Sequence, residues 1–237
     1  MTPNDELAGW IAEGKKLCQT GKFAEARELF GKAIHFVEAT SGSEAPELVN
    51  PLMGLASSVD ERRPCEHADC PRVLEIQKRA LIIAETVFGR NHARTAMVLA
   101  ALGLTLWKLK QLEDAHDSIA RALQIVEQHT GESRRTSELL ETLASLLLEM
   151  KRPADALPLF QRNLRIEEKN GVDTAGIMSA SWMLGRCLLN LERGTEAVRH
   201  LEHALAIRIA RRPPEFKEED FVSKEIRKWI AEAHAKP

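Results

Sequence analysis

Tyrosine is absent from the 237-residue chain, and aromatic residues make up only 5% of it. That is too thin for a surface that stacks nucleic-acid bases, which needs a series of aromatic platforms. A surplus of either charge is also missing: 33 Lys and Arg stand against 35 Asp and Glu, a formal net charge of −2. Proteins that neutralise phosphates carry a basic excess, so nucleic acid is not an expected partner. No run approaches the roughly 20 apolar residues of a membrane span. The opening MTPNDE lacks the basic stretch and apolar core of a signal peptide. The expectation is a cytoplasmic chain with no membrane partner. The four cysteines, Cys18, Cys65, Cys70 and Cys187, are too few and too scattered for a disulfide framework.

What remains is the composition of a folded chain, 44% apolar and 29% charged. Ala, Leu and Glu recur, and long β-branched runs are few, which favours helix. The chain also repeats itself. Ala115, Ala156 and Ala197 follow one another at 41 residues, each preceded by an acid, and Ala26 is their counterpart near the N-terminus. Seven residues after each comes a second pair: Ala33-Ile34, Ala122-Leu123, Asn163-Leu164 and Ala204-Leu205. Ala80-Leu81 falls between the first two of these pairs, which makes five repeats, the second longer than the others. Gly42, Gly89, Gly131 and Gly171 punctuate the repeats as helix stops. Ser43, Asn91, Ser133 and Asp173 follow as candidate N-caps. Each repeat therefore reads helix, turn, helix, turn. Pro158, inside a second helix, should kink that helix or shorten its start.

Repeat one carries Trp10, Gly14, Leu17, Gly21, Phe23, Ala26, Phe30 and Ala33. Repeats three and five keep the small residues as Gly103, Ala115, Ala122 and Gly185, Ala197, Ala204. This pattern resembles the tetratricopeptide repeat. The 41–42-residue period and the segment RALIIAETVFGRNHARTA at 79–96 are similar to its long-period, kinesin-light-chain-like subclass, with Ala93 standing where that subclass has proline. The resemblance implies an all-α, right-handed α-solenoid over residues 1–212. Residues 213–237 would form a C-terminal capping helix, with Phe221, Val222, Ile226, Trp229 and Ile230 as its apolar face.

Catalytic signatures are missing: there is no phosphate-cradling glycine loop, no dinucleotide fingerprint, no nucleophile elbow and no H-E-x-x-H. Neither an enzyme nor a cofactor is expected. One segment in repeat two holds metal-ligand types, Cys65, His67 and Cys70 around Glu66 and Asp69. It is half of a zinc site, since no second cysteine pair exists to complete four ligands. The reading is an exposed loop at 62–71 without metal, with zinc binding or a labile disulfide as the alternatives.

The resemblance also says which helix faces look into a groove. It assigns Ala8 and Ile11 in repeat one, Asn50 and Met53 in repeat two, and Met97 and Trp107 in repeat three. Repeat four supplies Glu138 and Glu141, and repeat five Trp182, Met183 and Arg186. Methionine adapts to irregular ligands, and tryptophan anchors interfaces. The implied function is a protein-interaction scaffold that takes a peptide or short helix in this groove, with a basic and apolar partner segment. The alternatives are a ligand sensor that relays a conformational change and the interaction subunit of an enzyme complex.

Overall fold

The computed structural model describes residues 3–59, 70–171, 174–211 and 220–235. Among these residues there are eleven α-helices and no strand. In chain order they are α1 Pro3–Gln19, α2 Phe23–Ser41, α3 Val49–Ser57, α4 Cys70–Phe88, α5 Ala93–Lys108 and α6 Leu112–Thr130. They continue as α7 Arg134–Glu149, α8 Pro153–Asn170, α9 Thr174–Asn190, α10 Gly194–Ala210 and α11 Phe221–Ala235. A single 3₁₀ turn, Pro46–Leu48, leads into α3. The expected tandem helix pairs are present, five of them, followed by one terminal helix. Compactness divides the chain inside α6, into Met1–Ile125 and Val126–Pro237. The boundary expected at 212/213 lies outside the described residues.

The turn within a repeat is built identically four times. Gly21, Lys110, Lys151 and Glu192 adopt left-handed φ values of 77°, 62°, 60° and 59°. The next N–H reaches back five residues in each case: Lys22 to Leu17 at 2.9 Å, Gln111 to Leu106 at 3.0 Å, Arg152 to Leu147 at 2.8 Å and Arg193 to Leu188 at 3.0 Å. This six-to-one bond closes the first helix and fixes the angle at which the second leaves. The turn between repeats uses the four expected glycines, all at positive φ. Their N–H groups cap the carbonyls of Glu38, Glu85, Glu127 and Glu167.

The caps that follow differ from the expectation in two places. Ser133 caps α7 and forms a reciprocal box with Thr136. The cap of α5 is His92, not Asn91: its Nδ1 accepts the Arg94 N–H at 3.1 Å. Ser43 caps no helix, because the 3₁₀ turn starts from Ala45. Asp173 lies outside the described residues. Pro158 does not shorten its helix, since α8 starts at Pro153 and runs through it. Its ring is exposed, so the cost is confined to the missing backbone bond and the crowded preceding turn.

Within each unit, small residues on first helices let large ones on second helices in. Phe30 is fully buried and sits between α1 and α3. A Cβ at Gly14 would come within 2.8 Å of its ring, and one at Gly54 would come closer still. Gly103 faces Ile119 and Gly185 faces Leu201 in the same way. A second regularity ties consecutive second helices together. Arg79 of α4 pairs with Glu38 of α2 at 2.7 Å, and Arg121 of α6 with Glu85 of α4 at 2.5 Å. Arg162 of α8 pairs with Glu127 of α6. Arg79 and Arg121 also donate to the turn carbonyls of Ser43 and Arg90, each at 2.9 Å. These half-buried pairs contribute about 0–1 kcal/mol each. In α10 the arginine position is occupied by His203, which contacts Ser181 at 3.2 Å instead.

The terminal helix packs chiefly on α10. Ile226 and Ala233 are buried and Val222, Trp229 and Ile230 are half-buried, whereas Phe221 is 75% exposed and leaves the expected apolar face. Asp220 starts the helix. It accepts the Ser223 N–H at 3.2 Å, the Ser223 hydroxyl at 3.0 Å and the Arg208 guanidinium at 3.2 Å. Burial works to raise its carboxyl, but the bonds from Ser223 and Arg208 outweigh it and bring the pKa down to about 2.

Candidate partner-binding surfaces

In the N-terminal unit, first-helix residues open onto a pocket of about 460 Å³. Leu7, Ala8 and Ile11 of α1 and Phe88 at the end of α4 give it an apolar floor. Asn4, Glu47, Asn50 and Arg94 supply polar groups around it. The wall near Phe88 is built by the turn into α5. His92 stacks on the Phe88 ring at 5.3 Å between centroids, and the Arg94 guanidinium carbon lies 4.6 Å from the same ring. Because the His92 imidazole also caps α5, the local backbone places both rings and the arginine at once. Asn50, a sequence candidate, is exposed and lines the pocket. Met53 is half-buried and packs against the core of Val37, Leu48, Leu52 and Ile83, so much of its side chain serves the fold. Met97 and Trp107 are half-buried on α5.

The candidates of the C-terminal unit are differently placed. Glu138 is exposed and pairs with Arg134 at 3.2 Å. Glu141 is half-buried and already holds two donors, Ser179 Oγ at 2.9 Å and Asn163 Nδ2 at 3.5 Å. Asn163 is fully buried; it stands where the other repeats have alanine, and it also accepts the Ser137 hydroxyl at 2.6 Å. Ser137 contacts Glu167 as well. Glu141 therefore belongs to a polar joint between α7, α8 and α9, which the sequence pattern flagged only as a departure from alanine.

Trp182, Met183 and Arg186 come together on α9, and α11 reaches them. The Arg186 guanidinium carbon lies 5.9 Å from the Trp182 ring and 4.8 Å from the Trp229 ring of α11. Its Nη1 donates to the Met183 sulfur at 3.4 Å. Burial pulls the Arg186 pKa below its ordinary value, with the nearby Glu225 charge opposing. The groove face expected to be open in repeat five is thus partly covered by the chain's own terminal helix.

Cys187, also on α9, is fully buried, and its thiol points at the Pro153 carbonyl at 3.4 Å. Burial pushes its pKa to about 11, with Arg193 opposing. Among the described residues no group of three His, Cys, Asp or Glu side chains is placed to hold a metal. Cys65 and His67 lie outside the described residues, whereas Cys70 is the first residue of α4, so the expected loop ends earlier than 71. No described helix is long and apolar enough to cross a membrane.

Among the described residues, tandem helix pairs with small residues facing large ones define an α-helical repeat protein. The tetratricopeptide repeat profile matches residues 74–128 and 135–210, and the chain belongs to that family. Solved structures agree at the level of fold. A kinesin-light-chain-type protein of Podosopora anserina with nearly identical repeats has a TM-score of 0.75 at 17% identity, covering 90% of this chain and 100% of that one. BtubC of P. vanneervenii gives 0.73 at 18% identity, covering 93% and 97%. Among curated proteins, a sister chromatid cohesion protein of Arabidopsis thaliana is 23% identical over 69% of this chain and 19% of its own length. A clustered mitochondria protein homolog of Aedes aegypti is 28% identical over 57% of this chain and 9% of its own. The chain thus spans less than a fifth of the length of these curated relatives. Tetratricopeptide repeats serve generally as protein-interaction scaffolds.

Proposed function

We propose that the chain is a non-catalytic adaptor that holds a short apolar segment of another protein against the first helices of its repeats. The observation that supports this reading is the open pocket between α1, the 3₁₀ turn, α3 and α5. Its apolar floor can take one large side chain, and burying such a side chain contributes about 1.5–3 kcal/mol. Asn50 offers a donor and an acceptor to a peptide backbone, worth about 0.5–1.5 kcal/mol. A Lys or Arg of the partner would meet Glu47 at this pocket, contributing about 0–1 kcal/mol and fading with salt.

The test is selection of peptides on the intact chain from a displayed random library, followed by affinity measurements on variants. Ala8→Arg fills the pocket from an exposed position without touching the core and should weaken the selected peptides about tenfold, the loss of roughly 1.4 kcal/mol. Asn50→Ala should cost about fivefold. Peptides that bind both variants as tightly as the unaltered chain would show that the pocket is not the site.

A further inference from the structure

Three buried N–H groups around one guanidinium have no acceptor among the described residues: Nε of Arg186, Nε1 of Trp182 and Nε1 of Trp229. The ring distances of 5.9 and 4.8 Å place all three side chains in a single cluster. Arg186 forms no ion pair among the described residues, and the Glu225 carboxylate of α11 acts on it only through its charge. The one bond the Arg186 guanidinium is seen to make goes to a thioether sulfur, among the weakest of protein acceptors. Buried donors are ordinarily satisfied, and three failures in one place require an explanation. The cluster is all donor and positively charged, so what it lacks is an anion with two acceptor atoms, which is the geometry of a carboxylate. One of its walls, Trp229, is carried by α11, which rests mainly on α10 and touches α9 much less.

We infer that the α9 face of Trp182, Met183 and Arg186 is a binding site for an acidic peptide segment of a partner protein, closed in the free chain by Trp229 of α11. A partner carboxylate takes the Arg186 fork and an indole N–H, and an apolar neighbour replaces the Trp229 ring beside Arg186. Release of α11 is the step that opens the site. This inference rests on the reading of the first-helix faces as binding surfaces. It makes the C-terminal unit select for acid where the sequence pattern, through Glu138 and Glu141, suggests a preference for base.

The probe is a fluorescein-labelled, blocked peptide of alternating Glu and Leu, with its Gln-for-Glu counterpart as control, titrated onto the intact chain. Trp229→Ala removes the plug and should tighten the acidic peptide about tenfold, the factor by which a site closed nine-tenths of the time is weakened. The Gln peptide should gain nothing, and adding Arg186→Gln should abolish the gain. Asp220→Asn loosens the start of α11 from Arg208 without entering the cluster. It should raise both hydrogen exchange in α11 and affinity for the acidic peptide, which keeps the test alive if Trp229→Ala fails to fold. No gain in either variant, an equal gain with the Gln peptide, or a gain that survives Arg186→Gln overturns the proposal. So does displacement of the peptide by free acetate at the same carboxylate concentration, which would indicate a site for small anions. Ala8→Arg, in the N-terminal pocket, should leave these titrations unchanged, so the two readings fail separately.

Discussion

Each compact unit places an arginine over an aromatic ring at nearly the same distance, Arg94 over Phe88 at 4.6 Å and Arg186 over Trp229 at 4.8 Å. The two contacts do opposite things. Arg94 is exposed on the rim of an open pocket, so its charge stays open to solvent. The stacking there is worth at most about 0.5–1 kcal/mol and mainly orients the side chain. Arg186 is half-buried, covered by a helix that brings an indole over it but leaves its Nε without a hydrogen-bond acceptor. There the attraction to the ring is stronger because water is excluded, but unmet donors offset it. In the C-terminal unit the difference is made by α11, which brings Trp229 over Arg186. An interaction is thus read correctly only with its burial, not from its distance.

The strongest way to break this contrast is to unseat α11. Ile226 is fully buried at its centre, and Ile226→Ala should cost about 2–5 kcal/mol of the stability of the C-terminal unit. Urea unfolding followed by hydrogen exchange would show the loss in α9–α11. Equal deprotection of α1–α3 would mean that the two units unfold as one, and that α11 is not a local device.

The next effect belongs to the N-terminal unit. Phe30 fills the space between Gly14 and Gly54, so Gly54→Ala drives a methyl into a ring that has nowhere to go. Overpacking of this kind costs about 1–3 kcal/mol, against a helix-propensity gain of about 1 kcal/mol. The net result should be a lower melting temperature. Gly9→Ala on α1, where an added methyl meets nothing, should instead be neutral or stabilising. A stabilising Gly54→Ala would show that the ring can turn away.

Most of the fold was legible in advance because a repeat states each rule several times. The glycines between repeats, the Ser133 cap and the small-against-large pairing follow from residue types that have few other uses. The Glu–Arg ladder was equally present in the sequence, as Glu five residues after each second-helix alanine and Arg one residue before the next. Its register is a weak signal, because charges on helices are so commonly solvent-facing. His92 displaced Asn91 as a cap because the turn carries the chain one residue further before helical geometry begins. The site was less legible. The groove assignment placed Asn50 on an open surface and Trp182, Met183 and Arg186 together. It could not say that Glu141 is occupied by Asn163 and Ser179, or that Trp229 covers Arg186. Both depend on how neighbouring helices meet, and neither leaves a periodic trace.

A smaller effect follows from Asp220. Its pKa is brought down to about 2 from the usual 3.8 by Ser223 and Arg208 despite its burial. A carboxylate held below its unfolded value stabilises the fold above about pH 4, and that contribution is lost as pH falls through 4 toward 2. The unaltered chain should therefore exceed Asp220→Ala in stability by about 1 kcal/mol at neutral pH, the ordinary worth of a cap. The gap should close between pH 4 and pH 2 in urea melts. A gap that stays constant over that range would show that the carboxylate's charge is not what seats α11.

The smallest effect tests the turns inside the repeats, where the units differ in residue but not in backbone. The N-terminal unit meets its first left-handed turn with Gly21, whereas the C-terminal unit uses Lys151 and Glu192 at φ of 60° and 59°. A side chain in that conformation crowds its own carbonyl and costs about 1–2 kcal/mol. Glycine relieves this but gives back about 0.5–1 kcal/mol through the greater freedom of its unfolded chain. The two contributions nearly cancel, and the sign of what remains is the prediction. Lys151→Gly and Glu192→Gly should each stabilise by about 0.5 kcal/mol, and Gly21→Ala should destabilise by a similar or larger amount. Glu192 and Lys151 are both exposed, so loss of packing should not mask the backbone effect. Chemical denaturation of the three variants resolves differences of this size when they are compared as midpoints at a common slope. If Lys151→Gly and Gly21→Ala shift the midpoint in the same direction, the shared φ does not reflect a shared strain, and the turns owe their geometry to the helices they join.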